Sequence, residues 1–336
     1  MKKKEIRNVW FVNFSGIGNG IIAIPLLQCF ENSMPSVGYF HIENEVLSNE
    51  WFVSMAKLKN IRGFTDISWR RFEKKDWGKI LDFLDKGEIN LVVNLRNEGK
   101  QYDCNYYRFK KFAGDKIMFW DFDEPKDFTD PKNIVEEILL LFKKNNIDVS
   151  SYNPVWLGEI RKQKEGRQIG FGIAGSQKNK RWPTKKWIVL CSSVVGVGAD
   201  VTLFPGRSDQ EIEDAKSIKK VVSECKIVKN KDLKTVSMLI GSLRCFVSND
   251  TGLLHIASAI GIPVIGLYTN TDSNVWSPYR VLHFVAYKNS LMDFCPDRKI
   301  RCGNCFHYYD VCPAIEKYGD DIDPVSVFSL VKDFLN

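Results

Sequence analysis

No apolar run in this chain approaches the roughly 18–20 residues that a helix needs to cross a bilayer, which excludes a helical integral membrane protein. The amino terminus is basic, but residues 9–14 after it are an apolar stretch of strand length only. No secretory signal is therefore expected, and the default compartment is cytoplasmic. There is no arginine-rich tract and no nucleic-acid-binding motif, and the net charge of +7 is diffuse, so no nucleic-acid partner is expected. Such a charge suits phosphorylated ligands or, at most, peripheral contact with an anionic membrane surface. Histidine is scarce, with four in the chain, so chemistry that needs several histidines has little to draw on. Glycines at 16, 18 and 20 lack the third glycine at the spacing of a dinucleotide fingerprint, which excludes that motif.

What is present is a soluble globular composition, 44% hydrophobic and 26% charged, in 336 residues, enough for two domains. Apolar strand-length runs alternate with helical patterns, so the predicted class is α/β with parallel sheets. In the first half, residues 9–14, 38–42, 91–95 and 116–122 read as strands. Residues 21–30, 45–58, 77–84 and 133–145 read as helices, with Pro25 near the start of the first. The serines, asparagine and proline of residues 148–154 mark the linker, which predicts an amino-terminal domain over 1–153 and a second over 154–322. Asp323-Pro324 then caps a terminal helix over 323–336.

The most informative stretch is residues 248–279. A buried strand ends near Ser248, an apolar helix spans 253–260, and a second strand spans 263–268. Asn249-Asp250-Thr251-Gly252 is the turn between strand end and helix start, where open α/β sheets bind ligands and free backbone N–H groups attract phosphate. His255 follows Gly252 by one helical turn and can point back to the same place. Taken alone, the turn reads first as a capped helix with a core histidine.

Two further turns fit the same pattern. Residues 168–174 form a strand that runs into Gly175, Ser176 and a basic segment ending Lys180-Arg181-Trp182-Pro183, and a helix starts at Thr184. Paired cations and N–H donors there suit a diphosphate. After a strand over 200–204, Asp209 and Glu211 stand in the next turn, where Asp209 also reads as a helix N-cap. In the first half, Gly16, Gly18 and Asn19 lie in the turn after the first strand, and Arg96, Asn97 and Glu98 follow the strand at 91–95. Nine cysteines are present, of which Cys295, Cys302, Cys305 and Cys312 cluster with a C-x-x-C at their centre. Four such thiols could hold one structural zinc or iron ion or stand as reduced thiols, and both readings remain open.

The set Asp250-Thr251-Gly252-x-x-His255, Thr271-Asp272, Trp276-Ser277-Pro278-Tyr279 and Lys180-x-Trp-Pro resembles the bacterial heptosyltransferase family of glycosyltransferases. The resemblance implies a GT-B fold, two Rossmann-like domains facing a cleft, with the terminal helix crossing back to the first domain. It implies transfer, with inversion and without a required metal, of heptose or a related sugar from a nucleotide-diphosphate sugar such as ADP-heptose. The acceptor would be a lipid-linked saccharide of the lipopolysaccharide core or another bacterial glycan, reached at the inner membrane. Lys180, Ser176, Thr251 and Gly252 would meet the donor phosphates, Asp209 the ribose, and Asp250 and His255 the donor sugar. Gly16, Gly18 and Asn19 match the acceptor loop, but the family's basic carboxylate is here Asn19, an amide with no useful basicity. Glu98 is then the alternative base. A catalytically inactive sugar-nucleotide binder is the rival from another class, and a sugar-nucleotide epimerase on the same fold is the rival enzyme.

Overall fold

The structure is a computed structural model that describes residues 5–12, 16–42, 44–65, 74–95, 104–121, 132–162, 166–175, 180–269, 271–286 and 322–335. The chain divides into two compact units, Met1–Asn153 and Pro154–Asn336. The first contains β1 (Asn8–Val12), α1 (Ile17–Ser33), β2 (Gly38–Ile42), α2 (Glu50–Met55), β3 (Ile61–Thr65), α3 (Trp77–Lys86), β4 (Ile89–Asn94), α4 (Cys104–Ala113), β5 (Met118–Trp120) and α5 (Ile134–Lys144). Its sheet is parallel in the order β3-β2-β1-β4-β5. Val9, Trp10, Phe11 and Val12 are all fully buried. An unbroken apolar run of this kind marks a strand covered on both faces.

The second unit contains β6 (Gln168–Gly172), α6 (Thr184–Gly196), β7 (Asp200–Phe204), α7 (Asp209–Val221), β8 (Lys226–Ile227), α8 (Leu233–Ile240), β9 (Cys245–Asn249), α9 (Gly252–Ile260), β10 (Val264–Leu267), α10 (Ser273–Trp276), β11 (His283–Val285) and α11 (Pro324–Lys332). The sheet order is β11-β10-β9-β6-β7-β8, again parallel. In each unit the chain runs outward from its first strand, then returns to that strand's other side. The resulting switch points lie between β1 and β4 and between β6 and β9, the places where such sheets leave room for a ligand at the strand carboxyl ends.

Local chemistry explains where the helices stop and start. Helix α9 is buried almost all round, from Leu254 to Ile260, and ends at Gly261, whose φ of +81° is the left-handed cap that glycine adopts without strain. Asp323 caps α11 by accepting from the Ser326 N–H at 2.9 Å, with Pro324 in the first turn. Val327 and Val331 of α11 join the second unit's core, and the helix packs on α6 and β10 of that unit. No helix among the described residues is long and apolar enough to cross a membrane.

Two expectations are corrected. Helix α1 begins at Ile17, not residue 21, so Gly18 and Asn19 lie in its first turn and Pro25 lies in its interior. Glycine disfavours helix, but tertiary contacts decide here. Gly16 turns the chain at φ +91°, the Asn44 Nδ2 donates to its carbonyl at 2.9 Å, and Gly20 packs directly under the Asn44 side chain. The helix expected over 45–58 shrinks to α2, because the Asn49 side chain caps a later start by accepting from the Trp51 N–H.

Candidate functional site

At the switch point of the second unit the chain leaves β6 through Ile173, Ala174 and Gly175, and Lys180 returns beside the turn that follows β9. Asp250, the first residue after β9, is buried, and three polar side chains converge on it. The Thr271 hydroxyl donates to its Oδ2 at 2.7 Å. The Lys180 Nζ lies 3.5 Å from the same oxygen, and the His255 Nε2 lies 3.9 Å from Oδ1. Helix α9 begins here, with Thr251 at its N-cap making no side-chain cap hydrogen bond and no acid in its first turn. The helix therefore presents N–H groups and a partial positive charge not neutralised by its own side chains.

Burial lowers the pKa of His255; the Asp250 charge pushes it back up, and the Lys180 charge lowers it again, with a net downward shift. The ring is therefore neutral at neutral pH, with one donating and one accepting nitrogen. Tyr268, at the end of β10, is pushed up by burial and by the Asp250 carboxylate, so its hydroxyl stays protonated. The cluster combines a cation, an anion and neutral donors in a buried setting, where charge-assisted hydrogen bonds are strong.

Two side chains hold the surrounding turns. The capping residue of α7 is Ser208, not Asp209, and its partner Glu211 turns inward. One Glu211 oxygen accepts from the Gly175 N–H at 2.7 Å, and the other accepts from the Ser208 N–H at 3.1 Å and hydroxyl at 2.7 Å. Burial pushes the Glu211 pKa up, but these donors and the Arg181 charge outweigh it, so the carboxyl is held below its usual range. Asp209 is exposed on the first turn of α7. Asn249, which ends β9, is fully buried, with its amide bonded to Ile173, Ala174 and Trp182. The sequence reading assigns Asn249 no role and gives the ribose to Asp209 rather than to Glu211. The available signals were the Ser-x-x-Glu capping box at 208–211 and an amide at the end of an otherwise apolar strand.

In the first unit, Gly16, Gly18 and Asn19 open α1 at the switch point between β1 and β4. Glu98, Ser176, Cys295, Cys302, Cys305 and Cys312 lie outside the described residues. Among the described residues no group of three or more histidine, cysteine or acidic side chains could hold a metal ion.

Comparison with known proteins bears on the fold and the family. The chain is 28% identical over 148 residues to lipooligosaccharide heptosyltransferase 2 of Haemophilus ducreyi, covering 36% of this chain and 42% of that protein. It is 26% identical over 215 residues to lipopolysaccharide heptosyltransferase 2 of Escherichia coli K12, covering 57% and 58%. The chain thus spans about half the length of these curated relatives. Among solved structures, E. coli heptosyltransferase WaaC with ADP-2-deoxy-2-fluoro heptose superposes with a TM-score of 0.61 at 16% identity, over 97% of this chain and 99% of that one. A glycosyl transferase family 9 structure from Veillonella parvula gives a TM-score of 0.65 at 15% identity, over 99% of both chains. The fold is shared across these GT-B proteins, and the model of Glycosyltransferase family 9 (heptosyltransferase) matches residues 125–305, more than half of the chain, which therefore belongs to that family.

Proposed function

We propose that this protein transfers heptose or a closely related sugar from a nucleotide-diphosphate sugar, ADP-heptose in the first instance, to a lipid-linked saccharide of the lipopolysaccharide core or a similar glycan. The observation that carries the reading is the buried Asp250 cluster with Lys180 and His255 at the uncapped start of α9. An ADP-sugar fits it, since the related E. coli enzyme was solved with ADP and with an ADP-heptose analogue.

In this reading the second unit binds the donor. Lys180, Ser176 and the N–H groups at Thr251 and Gly252 meet the diphosphate and stabilise the charge that grows on it as the sugar leaves. Asp209 meets the ribose, and Asp250 and neutral His255 orient the sugar. The first unit presents the acceptor at Gly16, Gly18 and Asn19. The acceptor oxygen attacks the anomeric carbon, the bond from that carbon to the diphosphate oxygen breaks, and configuration inverts without a divalent metal. The acceptor proton goes to a carboxylate, Glu98, because Asn19 cannot take it. The enzyme works at the cytoplasmic side of the inner membrane, where it makes peripheral contact.

Thermal or urea denaturation with ADP and ADP-heptose tests the donor assignment. A ligand at 100 times its Kd should add about 2.7 kcal/mol of stability. No stabilisation by any nucleoside diphosphate or its sugars would sink it. A second reading, a sugar-nucleotide binder without catalysis, is favoured by Asn19 alone. Donor that binds without transfer or hydrolysis would select it.

A further inference from the structure

We propose that Asn249 is a positioning residue for Lys180, tying the chain at Ile173 and Ala174 to the chain at Trp182 so that Lys180 is delivered to Asp250. The inference rests on the donor-site reading above. Asn249 is 0% exposed and ends the strand at the switch point. Its Nδ2 donates to the Ile173 carbonyl at 3.1 Å and the Ala174 carbonyl at 3.0 Å, and its Oδ1 accepts from the Trp182 N–H at 3.1 Å. Ile173 and Ala174 precede residues 176–179 in the chain, and Trp182 follows them. A single side chain therefore ties the two flanks of that segment together.

The far flank is held by further contacts beyond this tie. The Trp182 indole N–H donates to the Ile322 carbonyl at 3.2 Å, and its ring meets Trp187 edge-on at 5.0 Å. Lys180 stands two residues before Trp182 and reaches the carboxylate of Asp250, the residue next to Asn249. Consecutive residues, Asn249 and Asp250, thus hold the backbone of the two flanks and the Lys180 cation. Only an amide suits the first task, because one head group must supply two donors and one acceptor. Aspartate would face two carbonyls with no proton to donate, and serine is too short to span both flanks.

The test is a double-mutant cycle read by calorimetry with ADP on wild type, Asn249→Ser, Lys180→Ala and the double variant. If Asn249 acts through Lys180, Asn249→Ser should weaken ADP binding about tenfold or more in the wild-type background. In the Lys180→Ala background the same change should cost less than about threefold. Equal losses in both backgrounds, or no loss in either, would overturn the proposal. A wild-type protein that binds neither ADP nor another nucleoside diphosphate would overturn the donor reading and this inference with it. Hydrogen exchange on the wild-type protein needs no variant to fold. The Trp182 amide should be slowed at least ~100-fold against an open chain, and exchange at the open-chain rate would overturn the tie itself.

Discussion

Replacing Lys180 by alanine should separate two effects on one ammonium group, its ion pair with Asp250 and its proposed contact with the donor diphosphate. The Nζ lies 3.5 Å from the Asp250 Oδ2, and the two side chains are only 19% and 9% exposed. At an effective dielectric near 20 the gross attraction at that distance is about 5 kcal/mol, much of it spent on removing both charges from water. Stripping one partner from a buried pair costs about 3–5 kcal/mol. The lower end applies here, because the Thr271 hydroxyl still donates to the orphaned carboxylate. Urea denaturation of Lys180→Ala should therefore show a loss of about 3 kcal/mol. ADP binding should weaken by a further 1.5–3 kcal/mol, about tenfold to over a hundredfold, for the lost charge-assisted contact. The variant carries a third signature. Lys180 depresses His255 while Asp250 raises it, so Lys180→Ala should move the His255 titration up, and Asp250→Asn should move it down. Proton resonances of the chain's four histidines, with His255→Gln for assignment, give the reading. A folded Lys180→Ala protein with wild-type ADP affinity removes this residue from the donor site. An unmoved His255 titration would refute the charge cluster itself.

Acid should weaken the fold in two stages. The folded-state pKa of His255 is depressed, so the unfolded chain takes up the proton first and stability falls as pH drops below about 6.5, by at most ~1.4 kcal/mol per unit. His255→Gln should flatten the part of the urea midpoint that changes between pH 7.5 and 5.5, and an unchanged slope would refute the assignment. Glu211, also depressed, stabilises above its unfolded value and loses that contribution as pH falls below about 4.3. A Cβ at Gly206 would meet the Glu211 Oε2 at 2.2 Å. Gly206→Ala should therefore displace that carboxylate from Gly175 and Ser208 and cost about 1.5–3 kcal/mol; an unaltered melting temperature would refute the tie.

The readable parts of this chain are those where local chemistry and burial agree. Strands β1, β9 and β10 are covered on both faces, so their apolar runs stand out, and α11 announces itself through Asp323-Pro324. Strands β8, with two residues, and β11, with three, lie at opposite edges of their sheet, and only a neighbour's register makes them strands. The start of α1 was hidden for a similar reason, since Gly18 and Gly20 oppose helix locally and Asn44, 28 residues beyond Gly16, clamps the turn. In the site, the cation, the acid and the histidine were legible as residue types at strand ends. Which acid of the 209–211 turn faces inward was not. It follows from the capping geometry, which spends Ser208 on the helix and draws Glu211 toward Gly175. The amide of Asn249 was opaque because a buried polar residue is explained only by its partners, and all three come from more than 60 positions away.

Asn19 is where the family pattern breaks, and the structure sharpens what its reversal should do. It stands third in α1, a helix with no acid in its first turn. A carboxylate there faces the positive end of the helix, worth about 0.3–1 kcal/mol of stability, so Asn19→Asp should fold at least as well as the wild type. The same field keeps the new carboxylate ionised, as a base must be. If the chain lacks a base, this change should raise turnover about 10²–10⁴-fold. If Glu98 already takes the acceptor proton, the gain should be small, because proton removal is no longer missing, and Glu98→Gln should lose about 10²–10⁴-fold instead. The expected result is the second, since Lys180, Asp250 and His255 meet in the proposed donor site and an enzyme without a base would have little use for it. Single-turnover transfer with saturating donor measures both variants without interference from product release. A wild-type protein that binds donor yet neither transfers nor hydrolyses it, beside an Asn19→Asp variant that does, would refute that expectation and leave the wild type as a binder of sugar nucleotides.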